Sequence, residues 1–329
     1  MTTFSGSASG PRVVAFGGGH GLAASLDALR RVSAHLTAIV TVADDGGSSG
    51  RLREELGVLP PGDLRMALAA LAGDGEPEQL WAALYQHRFD GAGPLEGHAV
   101  GNLVLAALIE MLGDPVAALS VAGRALGAAG QVLPLSTSPL EIVAEVVGLV
   151  PGDAGASVEV RGQVAVATTP GQVVGVRLEP DDPPGCPEAV EAIHAADWTV
   201  LGPGSWFTSV IPHLLVPDIA KALADTPARR LLALNLSAQP GETDGFSPAT
   251  HLEVLAAHAP DLEVDVVLAD ESAAADGLEE LRECAAGIGA RLVVAPLARD
   301  DGTPRHDPKR LAAAYADIFS TDGKDSAWR

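Results

Sequence analysis

Two carboxylates, two hydroxyls, three glycines and an arginine stand together in Asp44-Asp45-Gly46-Gly47-Ser48-Ser49-Gly50-Arg51. Carboxylates can hold a divalent cation, while Gly-Ser amides and a guanidinium can hold phosphate oxygens. The segment follows the apolar run Ala38 to Ala43, so these groups cap what reads as a buried strand. A polar turn with an acidic N-cap for the next helix is the plainer alternative. The grouping points instead to half of a site for a phosphorylated ligand.

The other half lies upstream. The strand Arg12 to Phe16 runs into Gly17-Gly18-Gly19-His20-Gly21, and Leu22, Leu26, Leu29 and Val32 then recur at helical spacing. Strand, glycine loop and helix open a nucleotide-binding βαβ unit, with amides at the helix N-terminus free to meet phosphate. Gly19 to Ala24 fits the loose G-x-G-x-x-A fingerprint, a weak signal alone. His20 reads either as a phosphate donor or as an idle loop residue. Asp63, after Pro60-Pro61-Gly62, reads as a third pocket acid or as a helix N-cap. Further along, Trp198 to Leu201 ends in Gly202-Pro203-Gly204-Ser205, a second amide nest with Ser209 beyond it. Arg230 to Leu234 ends in Asn235. Asn102 heads the helix Leu103 to Leu112 and could cap it or reach a sugar; Arg305 and His306 precede a helix start and could clamp a ligand.

The elements that position these groups form a parallel sheet. The loops 17–21, 44–51, 202–205 and 235–243 then open on one edge, and that convergence says more than any single motif. Further strands are expected at Val264 to Leu268 and Leu292 to Ala295, with helices at 64–71, 77–88, 103–112, 115–127 and 308–319. Leu103 to Leu112 is apolar enough to predict a buried helix. Glu141 to Val147, Val158 to Ala167 and Val173 to Leu178 read as short strands between Pro/Gly turns. The expected architecture is one α/β domain over 1–329, a Rossmann-like three-layer parallel sheet, with a β-rich insertion at about 131–185.

Composition narrows the partners. The chain has 329 residues, 43 acidic against 21 basic, for a formal charge of −22. That field repels nucleic-acid backbones and anionic membranes. Cys186 and Cys284 form no metal or disulfide motif, the first residues form no signal peptide, and no membrane span is present, so a cytoplasmic location is expected. No Walker A lysine, nucleophile elbow or H-E-x-x-H occurs, and no base–nucleophile pair can be assembled from spacing. No catalytic residue is therefore assigned. Asp44 and Asp45 are the candidate ligands if a metal such as Mg2+ is required.

The glycine loop, Val40 to Arg53, Pro61-Gly62-Asp63-Leu64-Arg65, Gly97-His98 with Gly101-Asn102, Gly202 to Ser205, Asn235, Gln239 to Thr243 and Arg305 to Pro308 together resemble the YvcK (GlmR) family. This is the gluconeogenesis-factor branch of the CofD-like superfamily. The resemblance implies a cytoplasmic regulator that binds UDP-N-acetylglucosamine and is linked to cell-wall precursor supply, cell shape and gluconeogenic growth. A protein partner in amino-sugar or cell-wall metabolism and a homo-oligomer belong to the same expectation. The related CofD enzymes imply an alternative, metal-dependent transfer from a nucleotide-diphosphate adduct. Carried over residue by residue, phosphate contact falls to Gly18, Gly19, His20 and Gly21, and the acidic pocket to Asp44, Asp45 and Asp63. Ser48, Ser49 and Arg51 join them, nucleotide contact falls to Gly204, Ser205 and Asn235, and a clamp to Arg305. The chain departs from many members in His20, where threonine is usual, and in Met66, where asparagine is usual.

Overall fold

The computed structural model describes residues 10–239 and 241–325; Pro240 of the 239–243 motif and the N-terminal stretch read for a signal peptide lie outside them. Seven parallel strands make the main sheet: β1 (Arg12–Gly17), β2 (His35–Val40), β3 (Gln131–Pro134), β7 (Trp198–Leu201), β8 (Arg229–Ala233), β9 (Val266–Asp270) and β10 (Arg291–Ala295). Their order is β10-β9-β8-β7-β1-β2-β3. A separate antiparallel sheet orders β5 (Val158–Arg161), β4 (Glu141–Val147) and β6 (Gln172–Glu179) around the central β4.

Central strands here carry unbroken apolar runs because helices cover both faces of the sheet. Val13 to Phe16 are all buried, as is every residue of β7 and β9. Phe16 pairs in register with Ile39 on one side and Leu201 on the other. The last helix, Pro308–Asp325, packs on the first, Gly19–Leu29, where Tyr315 Oη and Ser25 Oγ share a buried hydrogen bond of 2.9 Å. Among the described residues no single helix is long and apolar enough to cross a membrane.

Three expectations change. Gln131–Pro134 joins β2 in the main sheet, so the segment outside that sheet begins after it. The strand expected over 158–167 stops at Arg161; Gly162 turns with φ +91°, and Gln163–Ala167 is helical. The apolar helix Val100–Leu112 is buried only along part of its surface, with Met111 79% exposed.

Candidate functional site

The strand order reverses between β1 and β7, one running toward β3 and the other toward β10. Neighbouring crossovers leave this point in opposite directions, so a crevice opens at the carboxyl ends of the two strands. A cavity of about 630 Å³ lies there. Its walls are the glycine loop with His20, the Pro203-Gly204-Ser205 turn, residues 235–239 and the late segment with Arg299, Arg305 and His306.

Close contact between the two loops explains their composition. A Cβ on Gly21 would stand 2.4 Å from the Pro203 carbonyl oxygen, and one on Gly18 would stand 2.4 Å from Asp63 Oδ2 and 2.6 Å from Thr41 Oγ1. Gly18 is the N-cap of the first helix without any side-chain cap. The first-turn amides of His20 and Gly21, which have no carbonyl one turn back within the helix, are open to a ligand anion. Asn235 locks the opposite wall: its Oδ1 accepts from the Gly204 amide at 3.0 Å and its Nδ2 donates to the Gly204 carbonyl at 2.8 Å. Asn235 thus shapes the turn rather than offering a free amide. Behind that wall the buried Glu242 accepts from the amides of Phe207 and Thr208, both at 2.8 Å, at the start of the π-helical turn Trp206–Val210. His306 is buried, and burial pushes its imidazole down to about 4, so it is neutral at physiological pH.

Asp63 forms part of the cavity wall. It lies inside the helix Pro61–Leu71, whose N-cap is Pro60, so it is not the cap the sequence allowed. Thr41 Oγ1 donates to it at 3.3 Å, and the Gly19 amide also donates. Burial, reinforced by the nearby Asp44 charge, pushes its carboxyl up to about 7; Thr41, Gly19 and Arg65 pull the other way.

Asp44 and Asp45 part company, as consecutive side chains leaving a strand do. Asp44 Oδ1 accepts from the Gly46 amide at 2.9 Å, and its field reaches Asp63. Asp45 Oδ1 instead accepts from the Val164 amide at 2.9 Å, tying the short helix 163–167 to the main sheet. Asp45, Ser48 and Arg51 line a second concavity of about 790 Å³, bounded also by Arg53, Arg88 and Glu96. Arg51, Arg53 and Arg88 each donate at 2.7 Å to a backbone carbonyl, of Glu96, Leu140 and Gly97. Asp45, Glu54, Glu96 and Glu141 share that wall, so four carboxylates more than offset the three arginines. Ser48 is buried in a cluster with His98 Nδ1 at 2.9 Å and Asn102 Nδ2 at 3.0 Å. Asn102 therefore lies within its helix and neither caps it nor reaches the cavity. Ser49 is buried beside Gly62.

Of the residues singled out in the sequence, Gly18, Gly19, His20, Gly21, Asp63, Gly204, Ser205, Asn235 and Arg305 thus meet at one cavity, and Asp45, Ser48 and Arg51 at another. Sequence reasoning missed Arg299 and Gln163 on the first, while Gln239 lies in the 235–243 loop already expected at this edge. Arg299 sits in the loop after β10, at the same sheet edge, which was the signal available.

A family model described as 2-phospho-L-lactate transferase CofD matches residues 13–288. The chain belongs to the CofD-like family. Within it the gluconeogenesis factors are its relatives. A Mycobacterium tuberculosis protein that bears a provisional gluconeogenesis-factor name is 57% identical over 312 residues, 94% of this chain and 91% of that one. The Bacillus subtilis gluconeogenesis factor is 38% identical over 274 residues, 83% of each chain. A crystal structure of a UPF0052-family protein from Bacillus halodurans superimposes with a TM-score of 0.82 at 34% identity, covering 94% of this chain and 99% of that one. These matches agree with the resemblance read from the motifs and with the Rossmann-like parallel sheet. The CofD resemblance also implies a divalent cation, and the adjacent pair Asp44–Asp45 does not converge on one point: Asp44 takes the Gly46 amide and lies near Asp63, whereas Asp45 takes the Val164 amide and lines the other concavity. Among the described residues no three His, Cys, Asp or Glu side chains gather to hold a metal.

Proposed function

We propose that this gluconeogenesis-factor relative is a UDP-sugar sensor, with UDP-N-acetylglucosamine seated at the β1/β7 crevice. The observation that carries the reading is the cavity itself. It sits where ligands bind in such sheets, has the size of a small-molecule site, and joins an uncapped helix N-terminus to two arginines. In this reading the diphosphate lies on the amides of His20 and Gly21, and Arg299 and Arg305 neutralise it from the far wall. The locked Gly204 turn keeps that wall preformed, which lowers the ordering cost of binding. The sugar identity, the link to cell-wall supply, cell shape and gluconeogenic growth, the cytoplasmic location and a partner in amino-sugar metabolism rest on the family resemblance. Two unpaired cysteines fit a reducing compartment.

Calorimetric titration tests the ligand. Saturable heat with UDP-N-acetylglucosamine, weakened at least about tenfold in Arg305→Ala by loss of a charge-assisted phosphate contact, is expected. Absence of heat at millimolar ligand refutes the reading. A CofD-type transfer is the second reading, favoured by the family match and by a cavity-wall carboxyl that holds its proton to about 7. Unchanged phosphorus NMR spectra of nucleotide-sugar, magnesium and protein after prolonged incubation would remove it.

A further inference from the structure

Among the described residues, three amide side chains line the β1/β7 cavity: Gln163, Asn235 and Gln239. Two of them are committed to the protein. Asn235 bonds both backbone groups of Gly204, and Gln239 donates to Ser205 Oγ at 3.3 Å while accepting from Asn235 Nδ2 at 3.3 Å. The half-buried Gln163 side chain forms no hydrogen bond among the described residues. A side-chain amide carries two donors and an acceptor, and here all of them are open to a ligand.

The backbone under Gln163 is held from both ends. Gly162 turns with φ +91°, and a Cβ there would overlap Asp45 Oδ2. The Val164 amide donates to Asp45 Oδ1 at 2.9 Å. At the far end of the 163–167 helix, a Cβ on Gly241 would stand 2.5 Å from the Ala167 carbonyl oxygen. The helix is thus pinned between the loop after β2 and the loop after β8, with Val166 fully buried beneath it. A side chain on so fixed a backbone gives up little freedom on binding.

Strand order gives the cavity a direction. Asp63 and Gln163 stand toward β2, followed by the glycine loop after β1, the Gly204 turn after β7, Asn235 to Gln239 after β8, and Arg299 to His306 after β10. The cavity's arginines, Arg299 and Arg305, lie at the β10 end, and among the described residues none lines the β2 end. Phosphate oxygens only accept, so they match the cationic end. Hydroxyl and acetamido groups both donate and accept, so they match a free amide. Resting on the nucleotide-sugar reading above, we infer that Gln163 is the specificity residue for the sugar. Its amide reads the hydroxyl and carbonyl groups of a neutral hexosyl unit at the β2 end. Asp45 lines the other concavity and acts through the helix, as a positioning residue.

Calorimetric titration of the full chain with UDP-N-acetylglucosamine and with UDP tests the assignment, since UDP keeps base and diphosphate but lacks the sugar. Gln163→Ala is expected to weaken the nucleotide-sugar about tenfold, the worth of one or two neutral hydrogen bonds, and to leave UDP within about twofold. Asp45→Ala is expected to reproduce the selective loss at about threefold, because the amide is loosened rather than removed. Asp45→Asn, whose Oδ1 can still accept from Val164, should restore it. Combining Asp45→Ala with Gln163→Ala should cost no more than Gln163→Ala alone, because both act through one contact. Equal losses for UDP and the nucleotide-sugar, or no loss in Gln163→Ala, overturn the assignment and leave the sensor reading standing. A wild type that binds neither ligand removes both.

Discussion

Replacing Asp63 by Asn should stabilise the protein at neutral and alkaline pH while weakening the site. In the fold the carboxyl is pushed from its ordinary 3.8 to about 7 by burial and by Asp44. The sign follows from proton counting. Between these values the folded chain holds a proton that the unfolded chain has released, so stability falls as pH rises. The contribution is fully present below about pH 4 and lost as pH climbs through about 7. At ~1.36 kcal/mol per decade the gap corresponds to ~4 kcal/mol, an upper figure for so buried a group. Asn carries no such penalty, and its carbonyl can still accept from the Gly19 amide. Urea unfolding of wild type and Asp63→Asn, from about pH 4 to about pH 8, isolates this group from the other acids. The two curves should meet near the acidic end and diverge by a few kcal/mol above neutrality, with Asn ahead. Asp44→Asn should shrink the divergence, because it removes the second cause. A stability difference that stays flat across this range would refute the assignment.

Substitutions at three further positions probe two supports of the site and one helix cap away from it. Gly18→Ala should cost about 1–3 kcal/mol and abolish nucleotide-sugar binding, since its methyl meets Asp63 and Thr41 at under 3 Å; melting and titration read both. Glu242→Ala should cost about 2 kcal/mol by orphaning the Phe207 and Thr208 amides, and Glu242→Gln should recover most of it. Asp114→Ala should lower stability by about 1 kcal/mol without touching binding, because Asp114 caps the helix Pro115–Ala125 through the amides of Val116 and Ala117.

Two walls of the crevice, 17–21 and 202–205, were legible in the sequence because an apolar run followed at once by glycines places an open loop at a strand tip; the wall at Arg299 carries no such local signature. What stayed hidden depends on pairing across long distances. Four residues at 131–134 cannot show whether they extend the main sheet or the smaller one; only their register with Thr37 to Val40 decides it. Val164 and Val166 alternate as strand residues do, but the turn at Gly162 and the Asp45 bond wind them into a helix. The sequence run 44–51 reads as one binding loop, yet Asp44 and Asp45 face different neighbours, and the helix Gly47–Leu56 turns Ser48 and Ser49 into buried contacts. The partial exposure of the apolar helix Val100–Leu112 was invisible for the reverse reason. Composition reports what a surface prefers to touch and leaves open which molecule supplies the contact.

The crevice has no single owner along the chain. Its first wall follows β1, its second comes only after the three-stranded sheet, and its last lies at 299–306, beyond β10. A nascent or truncated chain that stops before Arg299 would carry the glycine loop without its opposing cations. The crevice is therefore assembled from segments nearly 300 residues apart in sequence, and no single βα unit cut from this chain would carry both of its walls.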